Sequence, residues 1–324
     1  MSSGFRWNLA DSGEPGLFGM DELLVPEIGT GRMSGLEFLH VTAKQILNHV
    51  PSGSRAPSNW TINVYRGCSH GCSYCFARPT HEYLGLNIGE DFDSKIVVKI
   101  NAVDKLRAEL ADPRWQGEAV AMGTNTDPYQ RAEAKYKLTR GVLEALTEHA
   151  NPFSILTKSP LVTRDLDVLI EAAKATDVSV NFSIATLDER VWRATEPGSP
   201  NPRRRVDAMA QLSAAGIKTG ALMAPILPGM SDGAAQLREV VAAIDGAGGR
   251  LLGIGPLHLR PGLREHFLTW LSTHDPELHA DYLRRYANTS YAPERYLEQL
   301  YSRAGLPRRS RNPPTRRTDR QTAS

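Results

Sequence analysis

Residues 153–184 read FSILTKSPLVTRDLDVLIEAAKATDVSVNFSI, and this stretch decides the fold class. Its first five residues, FSILT, form an apolar run of strand length. Thr163 stands where a helix cap is expected, ahead of Leu166, Leu169, Ile170 and Ala173 at helical spacing. Residues 178–184 (VSVNFSI) predict a second strand. Strand, helix and strand in that order form a crossover unit, the connection that parallel neighbours need.

The alternation continues outward in both directions. Upstream, residues 61–65 (TINVY) and 119–122 (AVAM) predict strands. Residues 95–110 and 139–149 predict helices, the second with Val142, Leu143 and Leu146 on one side. Downstream, residues 204–215 predict a helix stopped by Gly216. Residues 218–226 predict a strand running into Pro228-Gly229. Ser231 or Asp232 is expected to cap a helix with Leu237, Val240, Val241 and Ile244 on one face. Residues 251–256 predict the last strand, and 263–271 the helix after it. These make six β–α steps with mostly apolar strands, an α/β chain with a parallel sheet buried on both faces. A partial (βα)6 barrel and an open doubly wound sheet both satisfy this periodicity.

Around this region the composition changes. Residues 1–56 are rich in Gly, Ser and Pro and read as an irregular N-terminal arm. Within it, residues 35–50 (GLEFLHVTAKQILNHV) predict a strand followed by a helix. Residues 57–262 hold the alternating region. Residues 263–304 read as a C-terminal helical cap carrying Trp270, Tyr282, Tyr286, Tyr291, Tyr296 and Tyr301. Residues 305–324 form an Arg-rich tail. From Arg303 onward there are seven Arg against one Asp, so this tail is expected to be disordered.

The 324 residues are 41% hydrophobic and 23% charged with a net charge of +2, which is ordinary for a globular protein. No apolar run has the length of a membrane-spanning helix. Residues 1–11 lack the charged-then-apolar order of a signal peptide. A cytoplasmic protein with reduced thiols and no membrane partner is expected.

All three cysteines fall within eight residues, in Arg66-Gly67-Cys68-Ser69-His70-Gly71-Cys72-Ser73-Tyr74-Cys75-Phe76. The loop follows the first predicted strand, the end at which α/β folds place their sites. Gly67 and Gly71 let it curl so that Cys68, Cys72 and Cys75 converge. Three thiolates can hold three irons of a [4Fe–4S] cluster and leave the fourth iron open for reaction. A structural zinc completed by His70 or His81 lacks the usual distant second ligand pair. A redox pair of Cys72 and Cys75 leaves Cys68 without a role. An iron–sulfur electron carrier would use four protein ligands. His70 is expected to be a loop residue or an outer hydrogen-bond donor.

The spacing C-x3-C-x-φ-C with Tyr74 at φ resembles the signature of the radical SAM superfamily. That resemblance implies a [4Fe–4S] cluster on Cys68, Cys72 and Cys75, with S-adenosylmethionine (SAM) chelating the open iron. It implies reductive cleavage of SAM to a 5′-deoxyadenosyl radical that abstracts hydrogen from a substrate, with Tyr74 near the adenine. SAM then needs further partners at later strand ends. Gly123 and Thr124 stand where the family carries a Gly-Gly-Glu-like segment for the amino group, although no Glu is present. Lys158 is placed to pair with the carboxylate. Asn181 and Ser183, on alternate positions of one strand, are candidates for the ribose.

Several segments narrow the resemblance: Cys68 to Pro79 with His81 and Tyr83; Thr126-Asp127-Pro128-Tyr129-Gln130 with Glu133; Ser183-Ile184-Ala185-Thr186-Leu187-Asp188 with Glu196-Pro197; and Ala224-Pro225-Ile226-Leu227-Pro228-Gly229. Together they are similar to the spore photoproduct lyase-related branch, often labelled DNA repair photolyase-like. The branch implies a partial (βα)6 TIM-type barrel and lyase-like radical chemistry. Spore photoproduct lyase itself uses an additional cysteine as hydrogen donor, and this chain has only three cysteines. Its activity is therefore not expected here unless another donor such as Tyr129 or Tyr83 serves. Arg203, Arg204 and Arg205 and the tail could attract nucleic-acid phosphates. Alternatively, the three arginines pair with Glu196 and Asp207. The expected partners are SAM, an electron donor such as ferredoxin or flavodoxin, and nucleic acid among the candidate substrates. The competing class is a non-catalytic nucleic-acid-binding protein with a structural metal.

Overall fold

The computed structural model describes residues 20–23, 26–51 and 58–307; residues 1–11 and the tail from 308 onward lie outside the described residues. In chain order the strands are β1 (Met20–Leu23), β2 (Glu27–Ile28), β3 (Glu37–Ala43), β4 (Asn48–His49), β5 (Trp60–Ile62), β6 (Tyr65–Arg66), β7 (Lys95–Lys99), β8 (Val120–Met122), β9 (Phe153–Thr157), β10 (Val178–Ser183), β11 (Lys218–Ile226) and β12 (Arg250–Pro256). The helices are α1 (Glu90–Ser94), α2 (Ala102–Leu110), α3 (Glu133–Tyr136), α4 (Leu138–Glu148), α5 (Leu166–Ala175), α6 (Glu189–Thr195), α7 (Pro202–Ala214), α8 (Ala234–Gly246), α9 (Leu263–His274), α10 (Pro276–Arg285) and α11 (Glu294–Arg303).

Six strands, β5, β8, β9, β10, β11 and β12, lie side by side in that order, and every neighbouring pair is parallel. A doubly wound sheet reverses its strand order at a switch point. This order never reverses, so the sheet curves as a partial barrel with its crossovers winding one way. The outward-facing residues of β9 and β10, Phe153, Ile155, Val178, Val180 and Phe182, are buried against the helices. On the inner face Ser154, Leu156, Ser179 and Asn181 remain half-buried. The short β4 pairs antiparallel with β5 at the edge.

A second sheet joins the arm to the first crossover. Parallel β3 and β7 form its centre, β1 and β2 pair antiparallel with β3, and β6 pairs antiparallel with β7. The expected strand over 61–65 is therefore two strands in two sheets, broken at Asn63. That side chain turns to the next loop, donating to Thr124 Oγ1 (3.2 Å) and accepting from Asn125 N (3.1 Å). The helix expected over 95–110 begins only at Ala102. The β-branched run Ile96-Val97-Val98 pairs as strand instead, because such side chains pack well on a pleated surface.

The helix expected near the end of 35–50 does not form. Glu109 accepts the backbone N–H groups of Ile46 and Leu47, and Gln45 and Asn48 donate to the carbonyls of Leu47 and Ile46. These bonds compete with a helical ladder. Two caps also differ from expectation. Ser159, not Thr163, accepts from Leu161 N and opens a 3-10 turn ahead of α5. Gly233 is the N-cap of α8. Ser231 instead accepts from Leu227 N, and Asp232 accepts from Tyr296 and Arg303. No described helix is long and apolar enough to cross a membrane.

Candidate active site

A cavity of about 300 Å³ opens at the C-terminal ends of the barrel strands. Cys68, Cys72 and Cys75 line it from the loop after β6, Gly123 and Thr124 from the loop after β8, and Lys158 and Ser183 from the ends of β9 and β10. Eight of the nine residues expected at the site, counting Tyr74, thus share one cavity.

The cysteine loop is shaped without using its thiols. Gly67 has φ +77°, and a side chain there would run into His81 and the Lys95 carbonyl at 2.9 Å. Cys68 N donates to Phe92 O, Gly71 N to Cys68 O and Cys75 N to Cys72 O. The buried Arg78 donates through Nε to Cys72 O (2.9 Å) and grips Asp93 with Nη2 (2.8 and 2.9 Å). A second grip comes from the loop after β8. Thr126 Oγ1 donates to Gly67 O (2.6 Å), while Gln130 accepts from Ser69 N and donates to Gly67 O (both 3.0 Å). Asp127 ties this loop onward, accepting from Thr157 Oγ1 (2.6 Å) and Lys158 N (2.7 Å), with His70 Nδ1 at 3.4 Å. His70 is thus a loop residue beside Asp127, and it too lines the cavity.

Burial pushes all three thiols above their ordinary pKa, and the charge of Asp127 adds to this at Cys68. Bare thiolates are costly in such a place, so the loop gains from any cationic centre that takes them as ligands. Among the described residues, no three His, Cys, Asp or Glu side chains gather as the ligands of a single metal ion. His81 is buried behind the loop with Nε2 at 3.1 Å from the Lys95 carbonyl, away from the cavity lining. Three thiols set around a roomy cavity suit a polynuclear cluster better than one tetrahedral zinc.

Behind the opposite wall lies a charged network. Lys158 Nζ donates to Ser183 Oγ (2.8 Å), stands 3.7 Å from Glu196 Oε1 and lies 5.6 Å from the centre of the Tyr74 ring. Tyr74 Oη donates to the same Oε1. Arg205 Nη2 donates to Glu196 Oε2 (2.5 Å), and Arg205 Nη1 to Ser183 O (2.9 Å). Burial raises the Glu196 carboxyl, but Arg205 and Lys158 overcome it and hold the group at about 2. The same acid raises the Tyr74 hydroxyl, an effect second to burial.

The structure places several of the other singled-out residues as follows. Asn181 is not in the cavity lining; its amide donates to Ser179 Oγ (3.3 Å), lower on the inner face of β10. Gly123 (φ +86°) lets the backbone pass against the Leu156 carbonyl, where a side chain would collide. The three-arginine cluster is split. Arg205 is buried on Glu196, Arg203 pairs with exposed Glu239, and only Arg204 and Arg203 face outward. Tyr129 is buried with its hydroxyl on Asp165, and neither it nor the exposed Tyr83 lines the cavity. Sequence reasoning did not single out Asp127, Glu196, Gln130 or Arg205 as site residues. Three of them stood in the shared segments Thr126–Gln130 and Glu196-Pro197, which was the available signal.

The profile of the radical SAM superfamily matches residues 62–241. A Mycobacterium tuberculosis protein described as uncharacterized is 43% identical over 280 residues, 86% of this chain and 82% of its own length. A phage protein named radical SAM Nalpha-GlyT isomerase, from Pseudomonas phage M6, is 26% identical over 181 residues, 55% of this chain and 35% of its own. Among solved structures, spore photoproduct lyase complexed with dinucleoside spore photoproduct aligns with TM-score 0.58 at 15% identity. That alignment covers 83% of this chain and 77% of the lyase, and at this identity it speaks for the fold alone.

Proposed function

The chain belongs to the radical SAM superfamily, and from that premise we propose that Cys68, Cys72 and Cys75 ligate three irons of a [4Fe–4S] cluster in a SAM-cleaving enzyme. When bound there, the cluster supplies an electron that reductively cleaves SAM, giving a 5′-deoxyadenosyl radical that abstracts hydrogen from the substrate. The observation that carries the proposal is the common cavity: the three cysteines, Lys158 and Ser183 line one space at the strand ends. Lys158 is the cation for the SAM carboxylate. Ser183, which keeps its own acceptor capacity while taking the Lys158 bond, serves the ribose. Tyr74 stands beside Lys158 as the ring for the adenine. Leu257 and Leu259 after β12 and Leu263 and Phe267 of α9 join Cys72 and Tyr74 in one apolar cluster on this side of the cavity.

The substrate proposed is a nucleic acid or a part of one. The outer cavity wall offers aromatic faces of the kind on which bases stack. Phe76 is 53% exposed there, and His258 stacks on Tyr291 with ring centres 4.1 Å apart. Spore photoproduct lyase activity itself is not proposed, since no fourth cysteine exists to return hydrogen. A cytoplasmic enzyme would draw its electron from a small carrier such as ferredoxin or flavodoxin.

Anaerobic reconstitution with iron and sulfide, followed by dithionite and SAM, tests the proposal. The expected result is 5′-deoxyadenosine from the native chain and none from Cys68→Ala, Cys72→Ala or Cys75→Ala. Zinc uptake in place of an iron–sulfur cluster, or full activity in one single variant, would overturn it.

A further inference from the structure

Glu196 does not line the cavity, yet two residues that do are fixed by it. The acid sits in the turn between α6 and α7 and is 3% exposed. One oxygen, Oε1, takes the Tyr74 hydroxyl and faces the Lys158 ammonium at 3.7 Å. The other, Oε2, takes Arg205 at 2.5 Å and Ser199 Oγ at 2.9 Å. Arg205 is itself committed, its remaining N–H groups going to Ser183 O, Pro200 O and Ser199 Oγ. The carboxylate therefore cannot follow either partner outward without abandoning a buried guanidinium.

Two physical consequences bear on the cavity. A lysine side chain is long and loses much rotamer freedom when it is fixed. Glu196 and Ser183 make that payment before a ligand arrives, so a ligand carboxylate meets an ammonium already in place. Removing the acid charge would also leave Lys158 and Arg205 as neighbouring cations with one anion fewer between them, and Lys158 is the one free to move away.

We infer that Glu196 is a positioning residue for SAM. It makes the Lys158 ammonium and the Tyr74 ring one preset unit, with Arg205 as its anchor. The inference rests on the SAM-cleaving reading above. It adds a specific claim: the effect of Glu196 on SAM affinity passes through Lys158, with the Tyr74 hydroxyl helping to hold the carboxylate in place.

The test is a double-mutant cycle on SAM affinity, measured by equilibrium binding to anaerobically reconstituted holoenzyme. Iron and sulfide content is checked in every variant. Glu196→Gln and Lys158→Met should each weaken SAM binding about tenfold or more, the scale of a lost charge-assisted contact. The double variant should be no weaker than the poorer single variant within about twofold. Losses that multiply in the double variant, or native affinity in Glu196→Gln, would overturn the inference. Should Glu196→Gln fail to fold, the cycle is run between Tyr74→Phe and Lys158→Met. Tyr74→Phe keeps the ring under Lys158, so the two changes communicate through the carboxylate. Coupling there supports the inference, and simple multiplication rejects it. Native holoenzyme that loads its cluster but does not bind SAM would refute the underlying reading itself, a result distinct from either pattern in the cycle.

Discussion

Two buried acids, Glu133 and Glu196, each accept a tyrosine hydroxyl and an arginine, yet only one of them reaches the cavity through a partner. Glu133 takes Tyr65 Oη (2.6 Å), Arg164 Nη2 (2.7 Å) and Thr139 N (2.9 Å). Arg164 continues to Asp165, which also accepts from Tyr129 and Arg140. Every one of these links ends on another fixed group of the scaffold. The Glu196 network is built from the same parts, but two of its members, Lys158 and Tyr74, line the cavity. Burial and saturation are thus shared by scaffold and site. What separates them is a partner that faces open space.

The largest effect expected from breaking this comparison is on stability. Glu133→Ala leaves the buried Tyr65 hydroxyl and the Thr139 N–H without their acceptor and takes one of two acids from the half-buried Arg164, and should cost about 3–5 kcal/mol. Denaturant unfolding would measure that loss, and the folded fraction should keep its SAM affinity. Weakened SAM binding with little loss of stability would assign Glu133 to the site instead.

The next effect depends on pH. Glu196 is held at about 2, below its ordinary value of 4.5, by Arg205 and Lys158 against the opposing effect of burial. A depressed carboxyl contributes stability that is complete above the unfolded value and is lost as pH falls through the folded one. Up to about 3 kcal/mol should disappear from roughly pH 5 downward. Unfolding series at about pH 5, 4 and 3 should show a steeper acid decline in the native chain than in Glu196→Gln. Equal slopes would mean that the network does not set this charge.

The smallest effect supplies the baseline. Arg203 and Glu239 form an ion pair on the surface, with side chains 59% and 51% exposed. Arg203→Ala should change stability by less than about 1 kcal/mol and leave SAM binding alone. A large effect would draw the helix surface of α7 into the site network.

The alternation of apolar runs and amphipathic stretches made the barrel legible, because each parallel strand needs a helical return and each buried strand needs apolar residues. The cysteine spacing made the centre of the site legible. What remained hidden was tertiary. Nothing local to Ile96-Val97-Val98 announces that β3, nearly sixty residues earlier, will pair with it. Asn63 looks like any strand residue until the loop at Thr124 accepts its amide. Glu196 stands in a shared Glu-Pro pair, but its importance comes from Tyr74, Lys158 and Arg205, which the fold gathers from three other places. Asn181 lies outside the cavity lining for a related reason. Alternation put it on the correct face of β10 but could not say how far down that face the cavity extends.

The cysteine loop also depends on residues made long after it. Ser73 N donates to Thr195 O, Gly198 N donates to His70 O, and Tyr74 waits for Glu196, 122 residues further along the chain. At translation rates of about 5–20 residues per second, the ribosome needs on the order of 6–25 s to add that stretch. During that interval the nascent chain presents three cysteines whose pocket is still missing one wall. Metal delivery that arrives early meets an unfinished loop, and delivery after α7 has emerged meets the completed cradle.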